Sequence, residues 1–224
     1  MLDLYQGYWS GRRLAPGEYV LSADEKTSIQ ARIRLHSSEV HADRRGQRIE
    51  HEYKRGGAWT YLAALDVHRA KVFGRVESSN GIAPFHRLIT QVMTREPYAS
   101  AKRVFWIVDQ GSSHHPSTFP DRLRQQFQNA VPVILPVHAS WLNQIEIYFS
   151  ILERKALTPN DFSGLEAVAE RIHNFEKYFI QTAKPFNWNF TQADLRELLK
   201  RLPRVVLNIE TLRCPNTNQW TATG

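Results

Sequence analysis

The sequence predicts an α/β fold in which helices cover a mixed β-sheet. Three features carry this expectation: two adjacent β-rich stretches, WTYLAALDV and KVFGRV; an uninterrupted apolar run, VFWIV; and amphipathic helical patterns that alternate with short strands through the second half.

Element by element, residues 1–18 mix Gly7, Gly11, Pro16 and Gly17 with Tyr5, Tyr8 and Trp9, which predicts an irregular lead-in. Residues 19–21 begin a short strand that closes at Ser22-Ala23-Asp24-Glu25. Residues 31–55 are polar and basic and predict an exposed loop or ribbon. Residues 59–67 and 71–76 predict a hairpin of sheet-centre strands. Phe85, Leu88, Ile89 and Val92 recur at helical spacing, so residues 82–93 predict an amphipathic helix that stops near Pro97. Residues 104–108 predict a strand buried on both faces, ending at Asp109. Residues 120–127 predict a helix with proline in its first turn, and 131–137 another short strand. Residues 141–155 predict a helix whose buried stripe is Leu142, Ile145, Phe149 and Leu152. Helices over 165–180 and 191–202 follow, which leaves a lead-in at 1–18, one main domain at 19–204 and a tail at 205–224.

The 224 residues, 42% hydrophobic and 23% charged, suffice for one good core and exclude a disordered or collagen-like chain. Twenty-nine Lys and Arg against 22 Asp and Glu leave a formal charge of +7 and a pI near 9.7. A surplus of that size either serves solubility or favours a polyanionic partner, nucleic acid first. A single cysteine, Cys214, excludes an internal disulfide and a cysteine-based zinc site and suits a cytoplasmic chain. Nowhere do eighteen apolar residues follow one another, so no membrane partner is expected.

Asp24 and Asp109 each close a predicted strand, where side chains leave the core and where open α/β sheets place their sites. Helical spacing on 141–155 points Asn143 and Glu146 in nearly one direction. Taken singly, each acid also has an ordinary structural role, as a cap, a turn former or a solvated surface group. Taken together, three carboxylates repel one another unless cations neutralise them, and such oxygen-rich sites suit Mg²⁺ or Mn²⁺. Two ions roughly 3.5–4 Å apart support in-line phosphoryl displacement.

The stretches VFWIVDQGSSHHP and VPVILPVHASWLNQIEIYFSILERKAL resemble the catalytic core of DDE transposases in the bacterial insertion-sequence branch related to mariner elements. LSADEKTSIQAR resembles the segment with that family's first Asp, and the likeness runs over about residues 15–202. The resemblance implies a ribonuclease-H-like fold with a mixed five-stranded sheet flanked by helices. It implies Asp24, Asp109 and Glu146 as catalytic residues that bind two Mg²⁺ or Mn²⁺ ions, and 36 residues separate Asp109 from Glu146, close to the mariner spacing. The implied chemistry is cleavage at transposon ends followed by transfer of the 3′-hydroxyl into target DNA, usually at TA.

His114, Gln110, Asn143 and His138 are implied to orient a metal-bound water or to contact DNA, with Gln110 standing where relatives commonly have Asn. Arg44, Arg45, Arg48, Lys54 and Arg55 are candidates for phosphate contact. Trp141 either stacks on a base or packs the start of the Glu helix onto the sheet. A homodimer is expected, because transposition holds two ends together. Relatives carry N-terminal helix-turn-helix domains, whereas Asp24 lies close to this N-terminus, so a catalytic half is expected, with end recognition left to a separate chain or to missing N-terminal helix-turn-helix domains, in the cytoplasm at the nucleoid. A DNA-binding remnant that no longer cuts and a structure-selective nuclease of the same fold stand as alternatives.

Overall fold

The apolar run around Phe105 folds as an inner strand of a sheet covered on both sides. Val104, Trp106 and Val108 enter one core layer, Phe105 and Ile107 the other, as the two-residue period of a strand requires. The structure is a computed structural model that describes residues 1–34 and 53–201.

Its elements are α1 (Leu2–Tyr5), β1 (Tyr8–Trp9), β2 (Arg12–Arg13), β3 (Glu18–Arg34), β4 (Tyr53–Asp66), β5 (Lys71–Glu77), α2 (Ile82–Met93), β6 (Arg103–Val108), α3 (Phe119–Gln126), β7 (Ala130–Ile134), α4 (Ile145–Leu152), α5 (Leu165–Thr182) and α6 (Gln192–Arg201). The main sheet has the order β5-β4-β3-β6-β7. β3, β4 and β5 pair antiparallel, while β6 and β7 run parallel to β3. This is the mixed five-stranded, helix-flanked sheet of the ribonuclease-H-like fold.

On one face, α4 and α5 pack Ile145, Tyr148, Phe149, Leu152, Ile172 and Phe179 against Val20, Tyr61, Ala63 and Phe105. On the other, α2 and α3 pack Phe85, Leu88, Val92, Phe119 and Leu123 against Leu21, Leu62, Val104 and Trp106. α2 spans the residues its apolar spacing predicts. Among the described residues, no helix is long and apolar enough to cross a membrane.

Three local expectations change. Residues 1–18 are not an irregular lead-in: α1 is a full helical turn, β1 and β2 pair as a small hairpin, and Leu2, Leu4 and Tyr5 are buried in the α4 core layer. β3 does not end at residue 25 but runs on to Arg34, paired with β4 as far as Tyr53. The expected helix over 141–155 is divided into a 3₁₀ turn at Ser140–Leu142, α4, and a wide π-type turn at Glu153–Leu157. The break falls at Asn143, whose extended backbone is set by side-chain hydrogen bonds to β3. Arg44, Arg45, Arg48, Cys214 and the 205–224 tail lie outside the described residues.

Candidate active site

β3 presents alternate residues to opposite faces of the sheet, and this alternation organises the site. Leu21 and Ala23 belong to the α2/α3 core layer. Ser22, Asp24 and Lys26 therefore face α4. The parallel register pairs Ser22 with Ile107, and continuing it by two residues brings Asp24 opposite Asp109, just beyond the end of β6.

The start of α4 is fastened to the same strand. The Ile145 N–H donates to Ser22 Oγ at 2.8 Å, and Ser22 Oγ also bonds Asn143 Oδ1. Asn143 Nδ2 donates to the Ala23 carbonyl at 3.1 Å and to Asp24 Oδ2 at 3.2 Å. From α1, the Tyr5 hydroxyl donates to the Leu142 carbonyl at 2.9 Å and accepts from the Gln144 N–H at 3.3 Å. These bonds satisfy backbone groups that a helix N-terminus leaves open, and they deliver Glu146 in the first turn of α4. Further along, Lys26 pairs with Glu153 at 3.1 Å.

The electrostatics follow from this packing. Burial, reinforced by the neighbouring Asp109 charge, pushes the Asp24 carboxyl up to about 7. Asp109 is held below the usual carboxylate range, mainly by its hydrogen bond from His114. Partial burial raises Glu146, with Lys26 opposing and Asp109 adding to the shift. Asp24 and Glu146 thus each sense Asp109, as like charges close together do.

His114 is fully buried. Its Nδ1 donates to the Asp109 carbonyl at 2.9 Å and lies 3.0 Å from Asp109 Oδ1, while Nε2 donates to Glu25 Oε2 at 3.2 Å. Burial would lower its pKa, but the hydrogen bonds to Asp109 and Glu25 outweigh burial and hold it at about 10, so both ring nitrogens carry protons. The Gly111 N–H adds a 2.7 Å bond to Asp109 Oδ1. A Cβ at Gly111 would come within 2.7 Å of His114 Cε1, so the close approach of ring and loop requires glycine there.

The donor set fits a hard divalent cation. Asp109 Oδ2 and the Glu146 carboxylate take no hydrogen bond from the described residues, and a nearby positive charge would offset the burial and the Asp109 repulsion that raise Asp24. A family model for the DDE superfamily endonuclease matches residues 19–168, which include all three acids. The chain belongs to the DDE superfamily of endonucleases. The DDE fold is also seen in two solved structures, the Mos1 mariner paired-end complex with Mn (16% identity, TM-score 0.52) and the Mos1 transposase paired-end complex with left transposon end (16% identity, TM-score 0.54). Each match covers 81% of this DDE chain, which spans about half the length of those proteins, 53% and 52%. No curated protein sequence matches the chain.

The remaining candidates separate clearly. Asn143 touches Asp24 but turns into β3 instead of sharing Glu146's direction, because its backbone precedes α4. Gln110 reaches the Leu135 carbonyl at 3.0 Å and so braces the loop after β6. His138 sits on an exposed turn at φ 61° and makes no side-chain hydrogen bond among the described residues. Trp141 is half exposed and meets Phe190 edge-on at 5.3 Å, so it does not pack onto the sheet. Lys54 and Arg55 are exposed on the outer half of β4. Sequence reasoning passed over Tyr5, Ser22, Lys26, Glu25 and Ser113. Strand alternation alone could have placed Ser22 and Lys26 beside Asp24, whereas the partners of the Tyr5 hydroxyl and of the Glu25 carboxylate are more than 85 residues away.

Proposed function

We propose that this chain is the catalytic domain of a transposase that cuts DNA at transposon ends and joins the freed 3′-hydroxyl to target DNA. The observation that carries it is the convergence of Asp24, Asp109 and Glu146 from β3, the end of β6 and the first turn of α4, where burial and the Asp109 charge raise Asp24. Of the two Mos1 structures of the same fold, one is a paired-end complex with Mn and the other a paired-end complex with left transposon end, which agrees with this reading.

Asp24, Asp109 and Glu146 would hold two Mg²⁺ or Mn²⁺ ions. When bound, such ions lower the pKa of water and stabilise a leaving oxygen. Asn143 orients Asp24, His114 and Gly111 orient Asp109, and the α4 anchoring sets Glu146. In the first step water forms a bond to phosphorus, the bond to the 3′ oxygen breaks, and that oxygen takes a proton. In the second, the same 3′-hydroxyl attacks a target phosphodiester, at TA, forms a new bond to phosphorus and gives up its proton, while the bond to the target's 3′ oxygen breaks and that oxygen takes up a proton. Lys54 and Arg55 line the DNA path, His138 and Trp141 border it, and Arg44, Arg45 and Arg48 are further candidates for phosphate contact on the strength of the sequence alone. A homodimer holds two ends, recognised by helix-turn-helix modules or a separate chain.

The test is nicking of a supercoiled plasmid with Mg²⁺ or Mn²⁺. The parent should nick and Asp109→Ala should lose at least 100-fold in rate, as a missing electrostatic catalytic group does. Equal nicking by both, or none by either, contradicts the proposal. Cleavage without joined products would favour a structure-selective nuclease.

A further inference from the structure

We infer that Glu25 is a positioning residue that holds Asp109 in its cation-binding orientation through His114, an inference that rests on the reading of Asp109 as a cation ligand. Glu25 follows Asp24 but projects to the opposite side of β3, into the α2/α3 layer, away from the Glu helix. Both of its oxygens are engaged there. Oε1 accepts from Ser113 Oγ at 3.0 Å and Oε2 from His114 Nε2 at 3.2 Å.

The other side of the His114 ring grips Asp109 twice, at its carbonyl (2.9 Å) and at Oδ1 (3.0 Å). The ring has no room to turn. Phe85 stands 4.8 Å from it and Phe119 6.2 Å, centroid to centroid, and Gly111 closes the loop side. Arg122 of α3 donates to the Ser113 carbonyl at 2.7 Å and fixes the turn that carries both Ser113 and His114. A continuous path of polar contacts therefore runs from β3 through Glu25 and His114 to Asp109, separate from the path through Ser22 and Asn143 to Asp24.

The consequence is conformational. With Oδ1 fixed by His114 and Gly111, the Asp109 carboxylate has one orientation and leaves Oδ2 free. Removing Glu25 leaves the buried Nε2–H without its acceptor, and the ring that sets Asp109 loses its outer anchor. The Asp109 carboxylate then orders itself only when a cation binds, and cation affinity falls. Groups that orient metal ligands in this way typically affect affinity by roughly 10–100-fold.

The test is calorimetric titration of the chelator-stripped, folded protein with Mn²⁺, paired with plasmid nicking across a range of Mn²⁺ concentrations. Glu25→Ala should weaken Mn²⁺ binding by roughly 10–100-fold, while nicking at saturating Mn²⁺ returns to within a few-fold of the parent. Glu25→Gln, which keeps an acceptor, should recover part of the affinity. Ser113→Ala removes one partner of Glu25 with little disturbance to folding and should weaken binding in the same direction by a smaller factor.

Unchanged Mn²⁺ affinity in folded Glu25→Ala and Ser113→Ala overturns the inference. So does loss as complete as in Asp109→Ala with no recovery at high Mn²⁺, since that makes Glu25 a ligand; the ligand atoms of Asp24, Glu25 and His114 do lie within 4.8 Å of one another. A parent that neither binds Mn²⁺ nor nicks defeats the cation reading itself. A parent that does both, beside indifferent Glu25 and Ser113 variants, defeats only the positioning role.

Discussion

Burial and the adjacent Asp109 charge push Asp24 up to about 7, so ionising it in the cation-free protein opposes folding. An unfolded Asp releases its proton near pH 3.9. The unfolded state therefore binds fewer protons between about pH 4 and 7, and stability falls as pH rises through that window. His114 has the same slope in a higher window. Held at about 10 in the fold, against roughly 6.5 unfolded, it contributes fully below the unfolded value and progressively less as pH approaches 10. Calorimetry of chelator-treated protein should show Tm declining from about pH 5 to 9, with Asp24→Asn flattening the lower part. Added Mn²⁺ should raise Tm most above pH 7, where no proton competes for Asp24. A Tm that climbs across this range would contradict the assignment of these two groups.

At the scale of elements, the N-terminal turn is a working part of the site. Tyr5→Phe removes the hydroxyl that serves Leu142 and Gln144 at the entrance to α4. It should cost about 1–3 kcal/mol in urea unfolding, the penalty for stranded buried polar groups, and should lower nicking by displacing Glu146. Unchanged stability and rate would show that α1 does not hold the Glu helix. That role was invisible in the sequence, because one helical turn among glycines and aromatics has no periodicity and its partners lie 137 residues on. Elements with a strong local signal were legible: the both-face burial of 104–108, the pairing of the hairpin, and the amphipathic 82–93 helix all follow from side-chain pattern, although β5 lies at the sheet edge and not at its centre as expected. The break before α4 was not, since Asn143 leaves helical geometry for a long-range bond to Ala23. Likewise, the resemblance marked the three acids, yet neither period nor motif pointed to Glu25.

For the molecule as a whole, a net charge of +7 accompanies a cluster of carboxylates, a combination that suits a polyanion brought to cations. Binding to duplex DNA, followed by fluorescence anisotropy over a NaCl series, should weaken linearly in log–log form. Replacing Lys54 and Arg55 with Ala should make the slope shallower by about 0.9 for each phosphate that is no longer neutralised, and an unaltered slope would remove β4 from the DNA path. Everything proposed for the chemistry depends on three acids, distant in sequence, forming one divalent-cation site. Anomalous diffraction from Mn²⁺-soaked crystals decides the matter: two peaks bounded by Asp24, Asp109 and Glu146 are expected. A peak on Asp24, Glu25 and His114 alone, or none beside Asp109 and Glu146, would refute the shared site.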